Sequence, residues 1–276
     1  MFVDTHAHVN FNAYKDDADE ILKKSLAEEI WVVNVGSQYS TSVRALDLAK
    51  KYPEGVYACV GMHPIHLKEG IVHHRDDDEM PEIEIPANGE QFDYQKYLEL
   101  AKDEKVVAIG EVGLDYHHFE EEDNVPVLIQ KQKETFAEFI KIANEVQKPI
   151  MIHCWDAYPD LLEILEKNPV GKKGIVHSFV GGYKTAKKFI EMGYKIGLNG
   201  IITYGISYDR LIKEIDLKDI VIETDCPYLT PVPKKGERNE PVLVEIVAKK
   251  IAEVKEIGIE EVAKITTENA KKAFNI

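Results

Sequence analysis

Six side chains of metal-ligating type stand directly behind short apolar runs. They are His6 and His8 in Asp4-Thr5-His6-Ala7-His8, Glu111 in Gly110-Glu111-Val112-Gly113-Leu114-Asp115, His153 after Ile152, His177 after Val176, and Asp225 in Glu223-Thr224-Asp225. His6 and His8 are two apart, so on an extended chain both imidazoles point to the same side. Two imidazoles on one strand face form a natural metal half-site. One such residue alone is more often a hydrogen-bonded structural group; six in coincident positions are hard to read that way. The set mixes imidazole and carboxylate without thiolate. That suits Zn²⁺, Mn²⁺, Fe²⁺ or Co²⁺, and Mg²⁺ at a more carboxylate-rich subsite. Four imidazoles and two carboxylates exceed what one tetrahedral ion needs, so two divalent ions are expected. Glu111, central in the ligand order, is the candidate bridge. Two ions about 3.5–4 Å apart lower the pKa of a shared water and clamp the entering and leaving oxygens. The expected chemistry is hydrolysis, with phosphate esters the prime substrates.

The elements that must position these groups read as follows. Candidate strands are Phe2–Thr5, Ile30–Val35, Val56–Val60, Val106–Ile109, Pro149–Ile152, Gly174–Val176, Tyr194–Leu198 and Ile220–Glu223. Amphipathic helix-like segments alternate with them, among them Asp17–Glu28, Thr41–Tyr52, Gln130–Val146, Trp155–Asn168 and Tyr183–Met192. Near-continuous apolar strands alternating with helices mean a parallel sheet covered by helices. Eight such units in this length predict a closed (β/α)8 barrel, an α/β fold whose active site lies where strands end. No GxGxxG follows a strand, which disfavours an open doubly wound sheet. Glu240–Ile257 and Ile259–Phe274 read as two closing helices. With no repeat and no linker, residues 1–276 are expected to form a single domain. His66–Tyr94 is polar, holds Pro81 and Pro86, and shows no sustained period, so it reads as a long acidic insertion after strand three.

The composition narrows the class. In 276 residues, 44% are hydrophobic and the net charge is −15. Enough apolar surface exists to build a core, which excludes disorder. The longest run free of Asp, Glu, Lys and Arg, Ile30–Val43, is 14 residues, too short for a membrane span. No signal-like segment opens the chain, and Cys59, Cys154 and Cys226 cannot pair evenly, so a reduced cytoplasmic setting is expected. Net acidity argues against a nucleic-acid partner at first sight. But residues 68–123 alone hold 18 acidic and 5 basic side chains. The local field at the site, not the total, decides access for a polyanion.

The ordered motifs resemble the TatD-like DNases, metal-dependent hydrolases on an amidohydrolase-type barrel. The resemblance runs nearly end to end. It is carried by Asp4-Thr5-His6-Ala7-His8, Gly61-Met62-His63-Pro64, Gly110-Glu111-Val112-Gly113-Leu114-Asp115-Tyr116, Ile152-His153-Cys154-Trp155-Asp156-Ala157, His177-Ser178-Phe179-Val180-Gly181-Gly182, Glu223-Thr224-Asp225-Cys226-Pro227-Tyr228-Leu229 and Arg238-Asn239-Glu240-Pro241. It implies two divalent metals (Mg, Mn or Zn), one held by His6, His8, Glu111 and Asp225, the other by Glu111, His153 and His177. It also implies that Asp225 takes the proton of the attacking water, that His63 contacts the scissile phosphate, and that Arg238 helps organise the substrate end. The implied activity is a metal-dependent deoxyribonuclease, typically a 3′→5′ exonuclease on single-stranded DNA ends. Two features depart from the family. Trp155 stands where the family usually has Arg, and the acidic insertion is longer than usual.

Competing readings remain open at the level of sequence. One is an amidohydrolase-superfamily enzyme acting on a small ester, lactone or amide; many dinuclear members bridge their metals with a carboxylated lysine on strand four, where this chain has Glu111. Another is a catalytically silent metal-binding interaction protein. Asp115 is expected to support the Glu111 loop through hydrogen bonds. Trp155 is expected either to stack on a nucleobase or to fill a packing gap.

Overall fold

The computed structural model describes residues 1–74 and 83–276. The centre of the acidic run, 75–82, lies outside the described residues. Eight strands run β1 (Phe2–Ala7), β2 (Ile30–Val35), β3 (Val56–Val60), β6 (Val106–Asp115), β7 (Ile150–Trp155), β8 (Gly174–Val176), β9 (Lys195–Leu198) and β10 (Ile220–Ile222), hydrogen-bonded in that order. Each neighbouring pair is parallel. The seam between β10 and β1 is drawn together by Asp225 N–H donating to His6 O at 2.8 Å and Thr5 Oγ1 donating to Ile222 O at 3.1 Å. The result is a (β/α)8 barrel.

The strands are apolar on both faces because both faces are covered. Val3, Val33, Cys59, Val107, Met151, Ile175 and Val221 meet in one buried cluster inside the barrel. Phe274 of the last helix, α9 (Ile259–Phe274), joins that cluster and plugs the end where the strands begin. Residues from the strands' other faces pack against the helices, α1 (Ala18–Ala27), α2 (Tyr39–Ala49), α3 (Tyr94–Ala101), α4 (Val125–Glu145), α5 (Tyr158–Lys167), α6 (Tyr183–Glu191), α7 (Asp209–Glu214) and α8 (Val244–Lys255). In α9, Val262, Thr266, Ala270 and Phe274 recur every four residues and are all buried, the spacing of one helix face. Cys154 and Cys226 are buried in the outer core.

The strand expectations hold, with two extensions that matter. β6 continues to Asp115 and β7 to Trp155, so Glu111 and His153 sit within strands rather than after them. Gly113 permits the extension: it has φ +150°, and a Cβ there would fall 1.9 Å from His153 O. Only glycine lets β6 lie this close to β7.

The described parts of His66–Tyr94, residues 66–74 and 83–94, hold more regular structure than the sequence predicts. β4 (Glu69–His74) and β5 (Ile83–Asn88) pair antiparallel, from Glu69 opposite Asn88 to His74 opposite Ile83. The alternation that would betray strands is broken by Ile71 and Ile83, which face solvent, and by Pro86, tolerated because the two-stranded hairpin is all edge. Lys68, at the hairpin base, is buried and donates to Asp123 Oδ2 at 2.7 Å and to His118 O at 3.2 Å. The hairpin is thereby fastened to the loop after β6, over the end of the barrel where the strands finish.

Candidate metal centre

The six predicted ligands converge at that end. His6 and His8 do point to the same side: their Nε2 atoms are 3.1 Å apart. Glu111 lies between the two halves of the cluster. Its Oε2 is 3.4 Å from His6 Nε2 and 3.8 Å from His8 Nε2. Its Oε1 is 2.7 Å from His177 Nε2, 3.0 Å from His153 Nδ1 and 3.5 Å from His63 Nε2. Asp225 Oδ1 is 3.3 Å from His8 Nε2 and 3.6 Å from His6 Nε2. Asp225 has φ +59° and the neighbouring strand-end residue Ser178 φ +43°, strained conformations of the kind found at functional sites.

Two of the remaining ring nitrogens, His8 Nδ1 and His153 Nε2, have anchors that aim the imidazoles. His8 Nδ1 lies 2.8 Å from Val35 O, so it carries the proton and Nε2 presents a lone pair to the cluster. His153 Nε2 lies 2.9 Å from Asp115 Oδ2, which leaves Nδ1 free to face Glu111. His177 Nδ1 lies 3.4 Å from Glu223 Oε1. A carboxylate or carbonyl behind each ring is the arrangement by which proteins orient metal-ligating histidines.

Electrostatics fit a cation. Burial opposes ionisation of Glu111, but His177, His63 and His6 outweigh it and hold the carboxyl well below the usual range. Burial likewise opposes ionisation of Asp225, and the nearby imidazoles of His8, His6 and His177 hold it low. Burial pushes His63 and His6 down, so both are poised as neutral rings. His177 Nε2, though close to Glu111, lacks hydrogen-bond geometry, and the buried His177 and His6 Nδ1 atoms have no hydrogen-bond partner either. Buried polar atoms without partners are costly, and nitrogen lone pairs beside shared carboxylates are what a divalent ion satisfies. Three ligand groups have donor atoms within 4.8 Å of one another: His6, His177 and Asp225; His6, His8 and Glu111; and His63, Glu111 and His153. The donor set therefore fits metal. His63 stands closer to the ligands than a phosphate contact alone requires.

Arg238 is not brought into the cluster. Its guanidinium is held by Asp17 at 2.5 and 3.2 Å and by Ala13 O at 2.8 Å, and it lies 4.5 Å from the Tyr14 ring. It also does not line the cavity over the metal ligands. In this arrangement Arg238 ties the segment after β10 to the β1–α1 loop. Its neighbour Asn239 donates to Thr224 O at 2.9 Å and Tyr228 O at 2.6 Å, which fixes the loop carrying Asp225.

Sequence reasoning missed Glu223 and His118. Glu223 accepts from Ser178 N at 2.5 Å and from Thr5 Oγ1 at 3.3 Å while facing His177. His118 Nδ1 lies 2.7 Å from Asp115 Oδ2, and its Nε2 lies 3.0 Å from His74 Nδ1 on the hairpin. The only sequence signal for Glu223 was its place at a strand end; His118 sits in a loop with none. Asp115 does act in support, but through His153 and His118 rather than the Glu111 loop.

A (β/α)8 barrel with a buried imidazole–carboxylate cluster at its strand ends defines a metal-dependent hydrolase. The model for the TatD related DNase family matches residues 3–275. The chain belongs to that family. It is 39% identical over 280 residues to the uncharacterized metal-dependent hydrolase YabD of Bacillus subtilis, with 100% of both chains covered. It is 30% identical to the uncharacterized metal-dependent hydrolase YcfH of Escherichia coli K12, covering 100% of this chain and 96% of that one. Among solved structures it is similar to YjjV, a TatD homologue from E. coli K12, with TM-score 0.81, 25% identity, and coverage of 100% and 98%. Among the described residues no helix is long and apolar enough to cross a membrane.

Proposed function

We propose that this protein is a deoxyribonuclease that removes nucleotides from the 3′ ends of single-stranded DNA with the help of two divalent ions. The observation that carries the reading is the placement of Glu111, with one oxygen toward His6 and His8 and the other toward His153 and His177. In this reading His6, His8, Glu111 and Asp225 hold one ion, and Glu111, His153 and His177 hold the other. Such a pair, when bound, lowers the pKa of a water and offsets charge on the phosphoryl oxygens.

The chain's own groups supply the rest. Asp225, kept ionised beside His8, is the base that accepts the water's proton. His63 accepts the Ile65 N–H at its Nδ1, 3.2 Å away, so its neutral ring carries the proton on Nε2, the atom that faces the cluster. That N–H is a donor for a non-bridging phosphate oxygen as charge develops there.

The test is hydrolysis of 3′- and 5′-labelled single strands in Mg²⁺, Mn²⁺ and Zn²⁺ after chelation and reloading. Shortening from the labelled 3′ end is the expected result. Glu111→Ala and Asp225→Asn are expected to lower the rate at least 10³-fold while circular dichroism stays native. Full activity of Glu111→Ala without added metal would overturn the two-ion reading. Turnover of small esters or lactones but not of DNA would favour the small-substrate reading instead.

A further inference from the structure

We propose that Trp155 and the β4–β5 hairpin form a subsite for one unpaired nucleobase, and that this subsite selects single-stranded ends. The inference rests on the nuclease reading above. The ligand cluster opens into a cavity of about 100 Å³. Across it from Glu111 stand Val72, His74 and Ile85 of the hairpin, with Trp155 and Tyr228 beside them. Among the described residues no Lys or Arg lines this cavity. Beyond the ligand cluster, Trp155, Tyr228, Val72 and Ile85 give the wall aromatic and apolar surface, which suits the face of a heterocyclic base.

Trp155 is a fixed platform rather than a loose filler. Its ring stacks on His118 with centroids 5.3 Å apart and planes 21° apart. It is also within 22° of the plane of His153, at 6.2 Å. His118 is held in turn by Asp115, which accepts from its Nδ1 at 2.7 Å and from its backbone N–H at 2.9 Å. The same aspartate orients the ligand His153. One carboxylate thus sets both the metal ligand and the stacking surface, so a base on Trp155 would sit in fixed relation to the cluster.

The hairpin closes the other side. His74 approaches His118 at 3.0 Å and the Trp155 ring at 5.9 Å, and the buried Lys68–Asp123 pair fastens the hairpin base. The space left takes one planar ring. On this reading the hairpin, through Val72 and Ile85, leaves room for one unpaired base against Trp155, so a duplex end must fray before it can enter. Trp155 occupies the position where the family motif has Arg.

The experiment compares the metal-loaded protein with Trp155→Ala, Trp155→Phe and Trp155→Arg on two single strands, one ending in a normal 3′ nucleotide and one in an abasic residue. Trp155→Ala should raise KM roughly 10-fold on the normal end, leave kcat within threefold, and leave the abasic end unchanged. Trp155→Phe should retain most of the base dependence. Trp155→Arg should lose it and gain salt-sensitive affinity. A second readout does not need turnover: in a Trp31→Phe background, a deoxynucleoside should quench Trp155 fluorescence saturably. Equal effects of Trp155→Ala on both strands, or no effect, would overturn the subsite. Saturable quenching with no DNA hydrolysis would overturn the nuclease reading and keep the subsite.

Discussion

At the scale of single residues, the groups behind the ligands matter as much as the ligands. Asp115 Oδ2 accepts from both His153 Nε2 at 2.9 Å and His118 Nδ1 at 2.7 Å, while Oδ1 takes the backbone N–H groups of His117 and His118. Asp115→Asn leaves one oxygen for four donors and turns an NH₂ toward one pair of them. The His153 ring then loses its orientation and its fixed tautomer. Metal affinity should fall about 10- to 100-fold, read by competition with a chelating dye. Unchanged affinity would mean that packing alone aims His153. The ligands themselves were legible in the sequence because each ends an apolar run, and in a barrel strand ends share one face. Glu223 was not, since its partners Thr5 and Ser178 are brought to it only by the closure of the barrel. The partner of Arg238 was not legible for the same reason: a cation near a motif looks available until Asp17, distant in sequence, is seen to bind it.

At the scale of elements, the hairpin is the part whose sequence said least. The eight barrel strands announce themselves by β-branched runs buried on both faces, whereas β4 and β5 carry exposed Ile71 and Ile83 and only intermittent buried positions such as Val72 and Ala87. What fixes the hairpin is not its own pattern but Lys68, whose ammonium meets Asp123 with side chains 7% and 14% exposed. Breaking a buried pair by removing one partner costs more than the pair contributes, because the other charge stays buried. Lys68→Met should therefore cost roughly 3 kcal/mol, somewhat less if water reaches Asp123. The loss should be local. Amide exchange should rise across 69–74 and 83–88 while α4 and the barrel strands keep their protection. A uniform rise through the barrel would show instead that the hairpin is part of the main cooperative unit. α3 and α7 were also missed by sequence; at 8 and 6 residues they are too short to show a period.

At the scale of the whole molecule, the ligands belong to β1, β6 and β7 and to the segments after β8 and β10, so ions would bracket the barrel around its open end. The β10–β1 seam lies inside that bracket. It has few ladder bonds of its own, being joined by Asp225 N–H to His6 O, by His8 N–H to Cys226 O at 2.9 Å, and by Asp4 with Thr224 at 2.6 and 2.9 Å. In the cluster, His6 Nδ1 and both ring nitrogens of His177 are buried without hydrogen-bond partners, positions that bound ions would help to satisfy. Ions that bind the folded chain alone stabilise it by mass action, about 4 kcal/mol at a thousand times the dissociation constant. For a chain of this size each kcal/mol moves the melting midpoint by roughly 2–4 °C. Exhaustive chelation should then lower Tm on the order of 10 °C, and titrating metal back should restore it in a concentration-dependent way. Glu111→Ala should start from a lower apo stability, because the imidazoles around it lose the carboxylate they pair with, and should show little metal-dependent shift. A chelated wild type with an unmoved Tm would mean that the cluster is rigid without ions and that the barrel, not the metal, closes the seam.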